Sequence, residues 1–209
     1  MIELELKYEL DSIPSGINEL PLIKGKKQED IYYDTPNYDL IRNGNFLRIR
    51  NGRRLEFKLF AGDKSHLFCQ ETDFDFDKFD DNKESINSIL SSLSLKTVDN
   101  LNSFEQILDV NNLEVLSPII KYRKSYKYND STISIDEVDN LGLFIEAEIM
   151  IDVDSLSSSQ AEDIKKQFIS ELKSSNILTG KEKCVNIGYV ELYLLKYNKK
   201  AYDLGIYKI

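Results

Sequence analysis

The sequence predicts an α+β fold on three observations. Charged and apolar residues alternate in several short segments, an Asn-Gly pair separates two of them, and stretches with helical spacing of leucine, isoleucine and phenylalanine interrupt the strand-like runs. Two strand sets separated by helices describe one domain over 1–209, without an internal linker, a low-complexity tract or a fixed-period repeat.

The first strand is IELELKYE, with Ile2, Leu4 and Leu6 on one parity and Glu3, Glu5 and Lys7 on the other. Residues two apart in a strand share a face at a spacing of about 7 Å, so the three charges form one stripe. KKQEDIYYD reads as the next strand and is broken at Pro36-Asn37; FLRIRNGRRLEFKLF then carries Asn51-Gly52 at its middle, a strong hairpin signal, and LFCQETDFDF follows. From about 82 to 116 the spaced leucines predict a helical insertion. Strands resume at IIKYRKSYKYN, turn at Asn129-Asp130, and continue as STISIDEVD and, past Asn140-Leu141-Gly142, as LFIEAEIMID. A serine-rich N-cap and Ile164, Phe168 and Leu172 at four-residue spacing predict an amphipathic helix, and the chain closes in a short helix or strand with a basic, aromatic tail from about 196 to 209.

Composition narrows the class. With 209 residues, 41 % of them hydrophobic, the chain can bury a substantial core. A net charge of −9 opposes general binding to nucleic acid or an anionic membrane. Cys69, Cys184 and the single His66 make neither a disulfide framework nor a zinc cluster. No apolar run is long enough to span a membrane, and the first residues lack the pattern of a signal peptide, so the expectation is a soluble, unprocessed protein of a reducing cytoplasm.

The charged stripe of the first strand recurs. Arg48 and Arg50 share a face, as do Glu56 and Lys58, Lys121 and Arg123, and Glu146 and Glu148, while Asp136 takes the polar parity of its own strand. One such stripe is a half-buried strand with a wet face. Six of them could line a concave surface, where two like charges 7 Å apart repel by about 0.6 kcal/mol in water and about 2.4 kcal/mol at an effective dielectric of 20. A ligand with several negative charges, together with divalent metal, balances such a surface: Arg and Lys hold phosphoryl oxygens, and paired carboxylates hold Mg2+ or Mn2+.

These residues resemble the CYTH superfamily, the triphosphate tunnel metalloenzymes. The resemblance runs from the ExExK stretch Glu3–Lys7 through Tyr32-Tyr33-Asp34-Thr35-Pro36, Leu47–Arg50, Lys58, Lys121 with Arg123, and Asp136 to Glu146-Ala147-Glu148. It implies an eight-stranded antiparallel β-barrel forming a tunnel, with helices packed outside. It further implies a metal-dependent hydrolase that cleaves the terminal phosphate of inorganic tripolyphosphate or thiamine triphosphate. Carried over residue by residue, Glu3, Glu5, Glu146 and Glu148 hold metal, while Lys7, Arg48, Arg50, Lys58, Lys121 and Arg123 hold phosphate. Lys58 and Tyr33, or Tyr32 in its place, are the catalytic candidates, and Asp136, Glu56 and Lys183 support them. Two alternatives stay open: a class IV adenylate cyclase making cyclic AMP from ATP, and a non-catalytic polyphosphate or nucleotide sensor. The partner is a small-molecule triphosphate, with the protein a monomer or homodimer. Two segments depart from the family pattern: Cys69-Gln70-Glu71-Thr72 lacks an Arg before its acidic residue, and Asn186-Ile187-Gly188-Tyr189 lacks a neighbouring cation.

Outside this pattern, His66 reads as a solvated loop residue, Cys69 and Cys184 as small buried apolar residues, and Tyr122, Tyr126 and Tyr128 as packing on the outer face of their strand.

Overall fold

The computed structural model describes residues 2–60, 69–151 and 157–206; His66 lies outside them. The chain divides into two compact units, residues 1–28 with 120–188 and residues 29–119 with 189–209.

Nine strands join in the order β5-β4-β3-β2-β6-β7-β8-β1-β9, and among the described residues no ladder closes β5 onto β9. Eight of the nine have five residues or more, matching the eight strand segments read from the sequence. Two of them, β2 (Leu22–Asp34) and β6 (Glu114–Tyr128), pass from one unit into the other.

In the first unit β1 (Ile2–Leu10) pairs antiparallel with β8 (Gly142–Ile151), which pairs with β7 (Ser131–Val138), which pairs with β6. Alternation sends Leu6, Ile133, Ile135, Ile145 and Ala147 to one side, where Phe168 and Leu172 of α4 (Ser158–Ser174) cover them. That helix starts where expected: Ser157 caps it and Gln160 closes a capping box. Tyr126 and Tyr128 lie on this covered face, and the Tyr128 hydroxyl meets Ser175 Oγ at 2.8 Å, whereas Tyr122 is exposed. The ninth strand, β9 (Lys183–Cys184), adds two residues to the free edge of β1. Cys184 is an exposed thiol there, which corrects its reading as a buried residue: a two-residue edge strand has no layer above it.

In the second unit β2 pairs with β3 (Phe46–Arg50), β3 with β4 (Arg54–Phe60), and β4 with β5 (Cys69–Asp75). Asn51 and Gly52 both adopt positive φ, 53° and 62°, as the hairpin between β3 and β4 requires. Leu47, Ile49, Leu55, Phe57 and Phe74 face a core shared with Ile86 and Leu90 of α2 (Phe79–Ser92) and Ile107 of α3 (Phe104–Asn111). The helical stretch is shorter than the sequence suggests, because Glu114–Pro118 already belongs to β6. After β2, the Asp34 carboxylate accepts the backbone N–H groups of Thr35, Leu40 and Ile41 and so starts the one-turn α1 (Asp39–Arg42), a short helix the sequence reading lacked. The tail is helical, α5 (Tyr189–Tyr197) and α6 (Lys199–Leu204). Among the described residues no helix is long and apolar enough to cross a membrane.

In each unit, therefore, helices cover the apolar face of the strands. The charged parity lies on the opposite face.

Candidate active site

In the first unit β1 sets Glu5 opposite Glu148 and Lys7 opposite Glu146 on β8, and β6 sets Arg123 opposite Asp136 on β7. These side chains form a continuous ion-pair network. Lys7 Nζ lies 2.9 Å from Glu5 Oε1 and 3.2 Å from Glu146 Oε1. Arg123 grips Asp136 with two nitrogens, Nε to Oδ1 at 2.6 Å and Nη2 to Oδ2 at 2.5 Å; its Nη2 also pairs with Glu146, and its Nη1 stands 3.8 Å from Glu148 Oε1. Lys121 Nζ donates to Asp136 Oδ2 at 2.8 Å.

Burial decides how tightly these charges are held. Asp136 is fully buried, at 0 % exposure, and its two cationic neighbours offset the cost of keeping an anion there. Burial pushes the Glu146 carboxyl up, but Lys7, Arg123 and Lys121 outweigh it and lower its pKa to about 2. For Lys7 burial opposes the charge, and Glu146 and Glu5 overcome it, so its pKa is raised. Lys121 goes the other way: burial, with Arg123 beside it, lowers its pKa despite Glu146 and Asp136. Glu5 and Glu148 are the more open members, with side chains 39 % and 28 % exposed.

In the second unit β2 sets Asp30 opposite Arg50 and Tyr32 opposite Arg48, and β4 sets Glu56 opposite Arg48 and Lys58 beside them. Arg50 makes a forked pair with Asp30, at 2.6 and 3.0 Å. Arg48 reaches Glu56 Oε2 through Nε at 2.8 Å and Nη2 at 2.6 Å, and donates from Nη1 to the Tyr32 hydroxyl at 2.7 Å. Arg50 and Arg54 stand directly opposite each other, a repulsive placement that Glu56, 3.3 and 3.8 Å from them, and Asp73, paired with Arg54, relieve. Lys58 Nζ meets Glu71 Oε1 at 2.7 Å. Burial opposes the charge of Arg48, but Tyr32, Asp30 and Glu56 raise its pKa; burial likewise opposes Lys58, and Tyr32 and Glu71 raise it. Burial pushes the Tyr32 phenol up, so it is neutral at pH 7.

The sequence-expected residues thus fall into two groups. Glu5, Lys7, Lys121, Arg123, Asp136, Glu146 and Glu148 meet in the first unit, and Arg48, Arg50, Glu56 and Lys58 in the second. The side chain of Glu3 lies outside the described set; its backbone pairs with Met150. Tyr33 does not join Lys58. It pairs with Leu47, so it sits on the apolar side of β2 and packs on the helix-covered core, and Tyr32 takes the place beside Arg48. Lys183 also stays apart, in a solvent-exposed pair with Glu9 at 3.3 Å. Asp30, Arg54 and Asp73 are members that sequence reasoning missed. Asp30 shares parity with Tyr32, but the Asn51-Gly52 hairpin joins β3 to β4 and fixes no register with β2, so no signal in the sequence marked it.

Among the described residues no three carboxylates form a ready metal cage. The donor set nonetheless fits a hard divalent cation. Glu5 and Glu148 face each other across one ladder, both partly open to water, in a group with four carboxylates against three cations.

The model of the CYTH domain family matches residues 1–181. A Methanocaldococcus jannaschii protein described as a "putative adenylate cyclase" is 29 % identical over 197 residues, which is 92 % of this chain and 98 % of that protein. Among solved structures, a Pyrococcus horikoshii protein superposes with a TM-score of 0.62 at 24 % identity, covering 93 % of this chain and 99 % of the other. A Hippeastrum protein described as a "putative adenylyl cyclase" with a dominant triphosphatase activity gives 0.56 at 16 % identity, over 93 % and 95 % of the two chains. The family match spans most of the sequence and contains every charged residue of both networks: the chain belongs to the CYTH domain family, whose members act on triphosphates with the help of a metal ion.

Proposed function

We propose that this protein is a divalent-metal-dependent triphosphatase that releases the terminal phosphate of tripolyphosphate or thiamine triphosphate. The observation that carries the reading is the pairing of Glu5 with Glu148 across the β1–β8 ladder, inside a network otherwise made of strong cations and their counter-charges. Glu5, Glu148 and Glu146, with Glu3 from the same sequence stripe, would supply the oxygen ligands for Mg2+ or Mn2+. When bound, such an ion supplies Lewis-acid polarisation of phosphoryl oxygens.

The chain's own residues do the rest. Lys7, Lys121 and Arg123, and Arg48, Arg50 and Lys58, hold phosphoryl oxygens and stabilise the charge that builds on them during transfer. Asp136 fixes the Arg123 guanidinium plane by accepting two hydrogen bonds, and Glu56 holds Arg48 through Oε2 alone, with a hydrogen bond from Nε and an ion pair to Nη2. Tyr32 accepts from Arg48, which leaves its own O–H proton to donate, and Lys58 beside it keeps its ammonium charge. The reading puts the protein in the cytoplasm, where triphosphates and Mg2+ are supplied.

The test is a phosphate-release panel over tripolyphosphate, thiamine triphosphate and ATP with Mg2+ and Mn2+, with cyclic AMP and ADP separated in the ATP arm. Phosphate release from tripolyphosphate or thiamine triphosphate that needs the metal is the expected result. Cyclic AMP with diphosphate would replace the reading with the cyclase named for the Methanocaldococcus relative, and tight triphosphate binding without turnover would replace it with a sensor.

A further inference from the structure

The cations of the second unit are not equally available to a phosphate. Arg50 is forked onto Asp30, Arg48 is hydrogen-bonded and ion-paired to Glu56, and both acceptors are buried. Arg54 has an exposed pair with Asp73 of the edge strand β5, but it also stands 3.8 Å from the buried Glu56, so two carboxylates hold it. Lys58 differs in having no buried carboxylate: among the described residues its ion pair is with Glu71 of the same edge strand, and the two side chains are 31 % and 57 % exposed. Holding an ammonium by one contact to a water-accessible carboxylate is the weakest of these arrangements, since an exposed pair gains little over hydration. Glu71 is anionic at neutral pH, because Lys58, Arg48 and Arg50 together outweigh its partial burial and lower its pKa.

We propose that Glu71 is a displaceable counter-anion for Lys58. It occupies the ammonium in the absence of substrate and yields it to a phosphoryl oxygen, so every triphosphate that engages Lys58 must first outcompete this carboxylate. Glu71 is then a positioning and affinity-setting residue rather than a ligand. Its negative charge lowers affinity for phosphates in general and keeps Lys58 extended toward the same face as Arg48 and Tyr32. This rests on the triphosphate reading of the site, but its test separates the two.

The experiment is calorimetric titration with the non-hydrolysable imido analogue of tripolyphosphate, in the presence of Mg2+, on the wild-type chain, Glu71→Gln and Glu71→Asp. Glu71→Gln is expected to bind about threefold to tenfold more tightly at low salt, a gain that shrinks as ionic strength rises. Glu71→Asp keeps the charge and should stay within about twofold of wild type. Equal or weaker binding by Glu71→Gln, or an equal gain in Glu71→Asp, overturns the inference while leaving the triphosphate site in place. No binding by any of the three chains overturns the site itself and the inference with it.

Discussion

In the first unit one carboxylate, Asp136, is wholly buried and receives both Lys121 and Arg123, and Glu146 bridges Lys7 to Arg123. In the second, the buried Asp30 and Glu56 are shared among Arg48, Arg50 and Arg54, and the network runs out at the sheet edge in the exposed pairs of Arg54 with Asp73 and Lys58 with Glu71. The same residue types on the same kind of strand face produce buried, shared anions in both cases, and the second alone grades outward to ion pairs exposed on both members. Carboxylates outnumber cations in the first network, whereas four face four in the second. On the proposed function, the first unit's acids take the metal and the second unit's edge supplies an adjustable phosphate contact.

The sharpest way to break that contrast is Asp136→Ala. Removing the shared anion leaves the buried Lys121 and the partly buried Arg123 to be resolvated or re-paired, and the loss should be about 3–5 kcal/mol of unfolding free energy in urea melts. A loss under 1 kcal/mol would show that the first network is as loose as the edge of the second.

A pH series probes the same network. Glu146 has its pKa lowered to about 2 from an ordinary 4.5, so its contribution is present above 4.5 and is lost as pH falls through about 2. The size is about 3 kcal/mol at one pKa unit per 1.36 kcal/mol. Glu146→Gln should flatten that part of the acid-stability curve; an unchanged curve would mean that Lys7 and Arg123 do not hold the carboxylate in solution.

A smaller effect separates the two tyrosines. Tyr32→Phe removes the acceptor of Arg48 Nη1 and should cost about 1–3 kcal/mol together with at least a tenfold fall in turnover. Tyr33→Phe, on the core side, should stay within about 0.5 kcal/mol and near wild-type turnover. The reverse ranking would return the catalytic role to Tyr33.

How much of this was readable beforehand depended on periodicity. Strands that alternate cleanly, such as IELELK, FLRIR and FIEAEIM, exposed their charged parity in the sequence, and Glu5, Lys7, Arg48, Arg50, Glu146 and Glu148 followed from it. KKQEDIYYD is polar on both parities, so nothing in it marks Asp30 and Tyr32 as facing the arginines; the register across β2 and β3 decides that, and it is a tertiary property. The two residues of β9 carry no period at all, and Cys184 looked buried only because cysteine usually is. Ser117-Pro118 inside β6 ran against strand propensity and shortened the expected strand from its start. Which cations are locked and which are loose depends on side-chain exposure, which no pattern of residue types encodes.

The proposed function has acids of the first network hold metal while cations of both networks hold phosphate. Its most direct test is steady-state phosphate release from tripolyphosphate with Mg2+ by Glu148→Gln and Arg50→Ala, each checked for wild-type folding by circular dichroism. Both should lose at least a hundredfold in turnover, with added Mg2+ partly restoring Glu148→Gln and leaving Arg50→Ala unchanged. Near-wild-type turnover in both folded variants would contradict the account.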